Sequence, residues 1–289
     1  MPVVFAQGLD ENSMQKSVKV EINPDGEVHV THVIKKSNSP HQIDLINGTI
    51  TNLTVKDLEG NEIQFGIIDN NSFMIFPSED DVIIEYDLSD VLNFEKHVWS
   101  WYFLYLESTS FYFPEGVDLV FVDDKPAFLA DKKGIICHGC QMKLNYLMDE
   151  PKFIKEVKIQ NERFLVGFRT WEEISNFNFD KESGGLKFQV NGDNSFVTTT
   201  IPIKLVSDPY SVLLDNQKII FHKFNQNGTH VSLNFKPQES GEISILGTTD
   251  PEFINENPSQ LGEFPIEYLV VILVGIFVSI GVILIKRKK

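Results

Sequence analysis

The residues Ile136-Cys137-His138-Gly139-Cys140-Gln141-Met142 hold the one local group of chemically versatile side chains in the chain, and its only two cysteines. Three chemistries fit that order. The first is a structural disulfide between Cys137 and Cys140. Two thiols this close oxidise readily outside the reducing cytosol. Closing so short a loop stabilises by about 2 kcal/mol, so such a bridge sets local shape more than global stability. The second is a soft metal: thiolates, the His138 imidazole and the Met142 thioether together suit copper(I). In an extended segment Cys140 and Met142 share a face, and Gly139 permits the bend that would bring in Cys137 and His138. A structural zinc site wants a second such pair, and none exists. The third is thiol–disulfide exchange, although the βαβ context of thioredoxin-like motifs is missing. Haem attachment would need His directly after the second Cys, where Gln141 stands.

Elsewhere the candidates weaken. His29 and His32 are three apart in a predicted strand and face opposite sides. They read, like His41, His222 and His230, as ordinary strand or surface histidines. Trp99, Trp101, Phe103 and Tyr105 alternate with Val98, Ser100, Tyr102 and Leu104. An aromatic stripe of this kind could bind glycan, but the pattern reads first as a core strand apolar on both faces. Glu79-Asp80-Asp81 and Asp123-Asp124 read as solvated turns, because no calcium-loop spacing accompanies them. Nucleophile-elbow, zincin, P-loop and dinucleotide-binding motifs are all missing, so no catalytic residue is assigned and no cofactor is expected unless copper binds.

The elements that must position these residues are strands. Two runs of alternating apolar residues between positions 17 and 35 flank Asn23-Pro24-Asp25-Gly26, where Pro24 presets φ and Gly26 accepts a positive φ. Short apolar runs follow at Thr51–Asp57, Ile63–Ile68, Phe73–Phe76, Val82–Leu88, Val98–Leu106, Phe111–Phe113 and Val117–Val122. They are broken by Gly, Asn, Asp and Pro. The style repeats from 156 to 247. Many short strands at close spacing predict an all-β protein with two sandwich-like domains: 8–160, then an immunoglobulin-like 161–247.

The chain ends on a different signal. Residues 248–265 contain Pro251, Pro258 and Pro265 and read as a stalk. Tyr268 to Ile285 is uncharged, and as a helix it would rise about 27 Å, near the bilayer's hydrocarbon thickness. A transmembrane helix is therefore predicted over 266–285. Lys286, Arg287, Lys288 and Lys289 form a basic tip that the positive-inside rule keeps in the cytoplasm. Gly275 and Ser279 form a small-xxx-small pair compatible with a weak homodimer. At the other end, Val4-Phe5-Ala6 before Gln7 reads as the remnant, over residues 1–7, of a signal peptide whose start lies upstream. The chain has 289 residues with 25 Lys+Arg against 41 Asp+Glu. Removing the four terminal cations leaves 21 against 41, a charge of −20 on the remaining 285 residues. Such a body repels phosphate backbones, which excludes nucleic acid as a partner. The sequons at Asn47, Asn52, Asn70 and Asn227 are candidate glycosylation sites in an external body.

The stretch from Ile174 to Phe253 resembles a β-sandwich module of archaeal cell-surface proteins that often precedes a C-terminal membrane anchor. The matching pieces are Ile174-Ser175-Asn176-Phe177, Ile201-Pro202 with Pro209-Tyr210, Gly228-Thr229-His230 and Ile245-Leu246-Gly247-Thr248-Thr249. Pro251-Glu252-Phe253 and Gly262-Glu263-Phe264-Pro265 are similar to the Pro-Glu-Phe-Gly sorting tails of such proteins, and neither reproduces them in full. The apolar run, the basic tip and the signal-peptide remnant, supported by this resemblance, predict a single-pass type I protein of the cell membrane, with its body outside and its C-terminus in the cytoplasm. The resemblance implies a structural, adhesive or interaction role toward the bilayer, envelope proteins or surface polymers, and no catalytic residues. The alternative is a membrane-tethered copper or thiol-redox accessory protein working through Cys137, His138, Cys140 and Met142. Sequencing the N-terminus of the native protein tests the leader: Gln7 is the expected first residue, and a start at Met1 would refute it.

Overall fold

The computed structural model describes residues 13–129 and 134–250, and within them every regular element is a strand. Among the described residues no helix is long and apolar enough to cross a membrane. The signal-peptide remnant, the stalk beyond Asp250, the transmembrane helix at 266–285 and the basic tip all lie outside them.

The first hairpin forms where the turn chemistry predicts it. Strands β1 (Gln15–Ile22) and β2 (Val28–Ile34) pair antiparallel, with Gly26 at φ +87° and its N–H donating to the Asn23 carbonyl at 3.0 Å. Their inner faces carry Val18, Val20, Ile22, Val28, Val30 and Ile34, all buried. The period-2 alternation of these strands is the direct cause of the one-sided burial. Beside them β7 (Val82–Ser89) pairs with β2, and β4 (Thr49–Asp57) covers β7.

On the other side of β1 runs β9 (Val98–Tyr112), which fuses two predicted strands into one of fifteen residues. Its last residues pair parallel with β1, from Val18 opposite Thr109 to Glu21 opposite Tyr112. Its first three pair with β8 (Asn93–Glu95). Its far edge pairs along nearly its whole length with β12 (Gly134–Tyr146). The short strands β10 (Leu119–Val122) and β11 (Lys125–Phe128) complete a nine-stranded sheet. A three-stranded sheet of β3 (His41–Asp44), β6 (Ser72–Ile75) and β5 (Phe65–Asp69) contributes Ile43, Phe73 and Ile75 to the same core.

A second core lies between two five-stranded sheets. One is formed by β13 (Lys152–Ile159), β14 (Glu162–Arg169), β17 (Val197–Pro202), β21 (His230–Phe235) and β20 (Phe221–Phe224). The other is formed by β15 (Ile174–Asp180), β16 (Gly185–Val190), β22 (Gly241–Thr248), β18 (Ser207–Leu214) and β19 (Gln217–Lys218). Phe168, Val197 and Leu233 of the first sheet meet Phe188, Val212 and Ile245 of the second. The sequence boundary near 160 needs moving. β13 hairpins with β14 over its full length, so the chain passes to the second core at 147–151.

A third, small cluster joins the halves. Leu119, Phe121 and Leu147 pack against Phe196, and the Phe121 and Phe196 rings stack at 3.7 Å between centroids. Phe196 is almost fully buried. Truncating so buried a ring removes the contacts that bind the two cores. Phe196→Ala is expected to lower unfolding free energy by about 3–5 kcal/mol in denaturant titrations. Tyr102→Ala on the open face is expected to stay within about 0.5 kcal/mol of the parent protein.

Candidate functional site

The cysteine segment lies in the middle of β12, opposite β9. His138 pairs with Ser108 and Cys140 with Tyr105, so the register slips between them and β9 carries the extra residue. Gly139 fills the irregularity at φ +59°, and a Cβ there would stand 2.5 Å from the Leu106 carbonyl oxygen. Only glycine meets both conditions. The bulge also resets the alternation of side chains. Cys137 is buried, His138 and Gly139 are exposed, Cys140 is partly buried and Met142 is buried again. Cys137, Cys140 and Met142 therefore pack against the first core. The two cysteines, with Cα atoms 6.0 Å apart, stand at disulfide distance.

His138 turns the other way. Its Nδ1 lies 2.9 Å from the Ser108 hydroxyl on the exposed face of the sheet. The four ligands that a copper site would need are thus split between two faces. Among the described residues no group of three or more His, Cys, Asp and Glu side chains converges for a metal.

The aromatic stripe of β9 is one-sided, unlike the two-sided core strand expected from its sequence. Trp101, Phe103 and Tyr105 are buried, whereas Tyr102 is 77% exposed and Leu106 80%. The reason is topological. The three-stranded sheet covers one face of the large sheet, and the opposite face is open along this part of β9.

Between its short pairings with β8 and β1, the middle of β9 has no strand on that edge. A groove of about 890 Å³ opens there, walled by Leu104–Glu107, the start of β1, Gln42–Leu45 and the β5–β6 turn. Its floor is a hydrogen-bonded chain. The buried His32 Nδ1 meets Gln15 Oε1 at 2.6 Å, and the Gln15 amide donates to the Tyr105 hydroxyl at 2.7 Å. That hydroxyl donates to the Asp44 carbonyl. On the other side Tyr86 and His32 Nε2 lie 2.9 Å apart, with the Tyr86 oxygen accepting from the Ile46 N–H at 3.0 Å. With Nδ1 donating and Nε2 accepting, the neutral ring satisfies every neighbour. Burial holds the His32 pKa down to about 3, and raises those of Tyr86 and Tyr105. At the rim, hydrogen bonds from Ser72 and then Gln42 lower the Asp44 pKa. His32 is thus a core residue, which the sequence pattern did not disclose, while the half-exposed His29 pairs with Asp87 on the opposite face.

All four sequon asparagines are exposed. Asn47 and Asn70 stand on the wall of the groove. Asn52 occupies a bulge of β4 and donates to Asp87 at 2.8 Å, and Asn227 caps its own turn by accepting from the N–H groups of Thr229 and His230. The basic residues Lys286, Arg287, Lys288 and Lys289 lie outside the described residues.

No protein-family model matches the chain. No curated protein matches it. Among solved structures it is similar to an aminopeptidase N family protein from Idiomarina loihiensis, with 10% identity and a TM-score of 0.36, over 51% of this chain and 31% of that one. The chain thus spans about a third of that protein's length, and a likeness this weak shows neither fold nor activity.

The His32 chain has a measurable pH signature. The unfolded ring takes up a proton below its ordinary pKa of 6.5, whereas the folded ring stays neutral to about 3. In that window the unfolded state binds more protons, so stability falls as pH falls. His32 is expected to add about 1.4 kcal/mol per pH unit to that slope. Denaturant titrations between pH 6 and pH 4 should show a shallower loss in His32→Gln than in the parent protein. Parallel slopes would show that the ring titrates normally.

Proposed function

We propose that this is a single-pass, type I protein of the cell membrane whose two β-sandwiches, the second immunoglobulin-like, stand outside the cell. Its role is structural or adhesive, through contacts with envelope proteins or surface polymers. The observation that carries the location is the uncharged run from Tyr268 to Ile285 closed by four cations. Three features of the body support the role. Its surface is strongly acidic, it is made of strands alone among the described residues, and it leaves Tyr102, Leu104 and Leu106 exposed in one row of β9. Contiguous exposed apolar side chains of this kind favour association with a partner. The disulfide reading suits an external body, where Cys137 and Cys140 staple a bulge. The exposed sequons are compatible with glycosylation. The copper reading is disfavoured by His138 pointing away from both cysteines.

Protease treatment of intact cells separates this from a cytoplasmic placement. The body should be digested from outside, leaving a short membrane-bound fragment that resists alkaline carbonate extraction. Full protection of the body in intact cells, or its release by carbonate, would refute the proposal.

A further inference from the structure

Where the two halves meet, the outer face of the large sheet forms the floor of a small polar cleft of about 250 Å³. Asn93, Ser100 and Asn145 stand in one cross-strand row there, since Ser100 is the register partner of both Asn93 and Asn145. The second half closes the cleft with Asn194 and Lys236. Lys96 and Lys143 complete its walls.

Two features of this cleft bear on what it could hold. The first is its sign. Three lysines and a single carboxylate, Glu95, line it, in a chain with a net charge of −16. Lys96 is paired across the joint with Asp193 at 2.8 Å, and Lys236 with Asp124 at 3.3 Å. Among the described residues the Lys143 ammonium has no ion pair: its backbone N–H donates to Asp123 at 2.9 Å, and its side chain lies over the Tyr102 ring at 5.5 Å. The second is an orphan donor. Asn145 is only 2% exposed, and its amide Nδ2 is buried with no hydrogen-bond partner among the described residues. Buried donors of this kind are almost always satisfied, and an orphan implies a missing acceptor such as an ion or a water. The lining offers mainly donors, ammonium groups and amides, while the Ser100 hydroxyl already donates to the Asn93 carbonyl at 3.3 Å.

We propose that this cleft binds an oxyanion, a carboxylate, sulfate or phosphate group, held by Lys143 and Asn145 from one half and by Lys236 and Asn194 from the other. An acceptor oxygen satisfies Asn145 and gives the Lys143 ammonium an ion-pair partner. Because its ligands come from both sandwiches, the bound group also fixes their mutual placement, next to the reciprocal pairs Lys96–Asp193 and Lys236–Asp124. The group can arrive as a free ion or as part of an acidic surface polysaccharide.

Calorimetric titration of the full chain, in nanodiscs of zwitterionic lipid and at constant ionic strength, tests this. Inorganic sulfate, inorganic phosphate and a uronic-acid trisaccharide serve as probes. Saturable one-to-one binding of at least one probe is expected. Binding of the inorganic ions identifies the free ion as the source, and binding of the trisaccharide alone identifies the polymer. Lys143→Met keeps the aliphatic stem and should weaken binding about tenfold or more. Asn145→Asp replaces the donor by a second anion and should abolish it. Lys152→Met, outside the cleft, should bind as the parent does. Lys143 lies at the surface, so its variant remains informative if Asn145→Asp fails to fold. No saturable binding by any probe, equal binding in Lys143→Met, or equal weakening in Lys152→Met would overturn the proposal.

Discussion

The first half of the molecule depends on how strand β9 is paired. One edge is matched almost end to end by β12, while the other is matched by β8 only at its start and by β1 only at its end. A sheet with nine strands must twist. The register slip at Gly139 lets β9 stay paired with β12 on both sides of the irregularity. It also explains why a glycine with a positive φ sits against the Leu106 carbonyl. The groove above His32 follows from the same geometry, because the middle of β9 parts from β1 and the Gln15–Tyr105–Asp44 chain spans the gap.

Much of this architecture was legible in the residues. The hairpin at Asn23–Gly26 formed as its turn chemistry required. The strands at 49–57, 72–75 and 82–89 follow apolar runs bounded by Gly, Asn, Asp and Pro. What local patterns lacked was information about neighbours. The run Val98–Leu106 is apolar at nearly every position, and that pattern cannot distinguish a strand covered on both faces from one whose outer face stays open. The decision depends on where the three-stranded sheet docks, and its strands come from residues 41–75. The domain boundary at 160 likewise placed β13 in the wrong half. Only the hairpin with β14 shows which core Val157 and Ile159 enter.

The cysteine segment shows the same limit at the scale of a site. Spacing alone allows Cys137, His138, Cys140 and Met142 to share a metal if the chain bends at Gly139. The bend exists, but the bulge puts Cys137 on the face that Cys140 and Met142 already share and leaves His138 beside Ser108. The irregularity that a metal site would have needed instead brings two thiols together over the core. The chemistry thereby shifts from ligation toward a covalent staple, at the place where β9 and β12 are out of step.

The joint between the halves draws on both ends of the polarity scale. Phe121 stacked on Phe196 excludes water from the centre of the contact. On one side of that pair His97 stacks on Trp171 at 4.1 Å and Lys96 reaches Asp193. On another, Arg169 of the second half binds both Asp118 and Glu150. Glu150 is nearly buried, and burial raises its pKa against the opposing pull of Arg169. A buried carboxylate of this kind adds little net stability, because desolvation offsets much of the attraction. Its contribution is directional. Arg169 can satisfy Asp118 and Glu150 together only in one relative placement of the two halves, so charge fixes the angle that the stacked phenylalanines alone would leave free to slide.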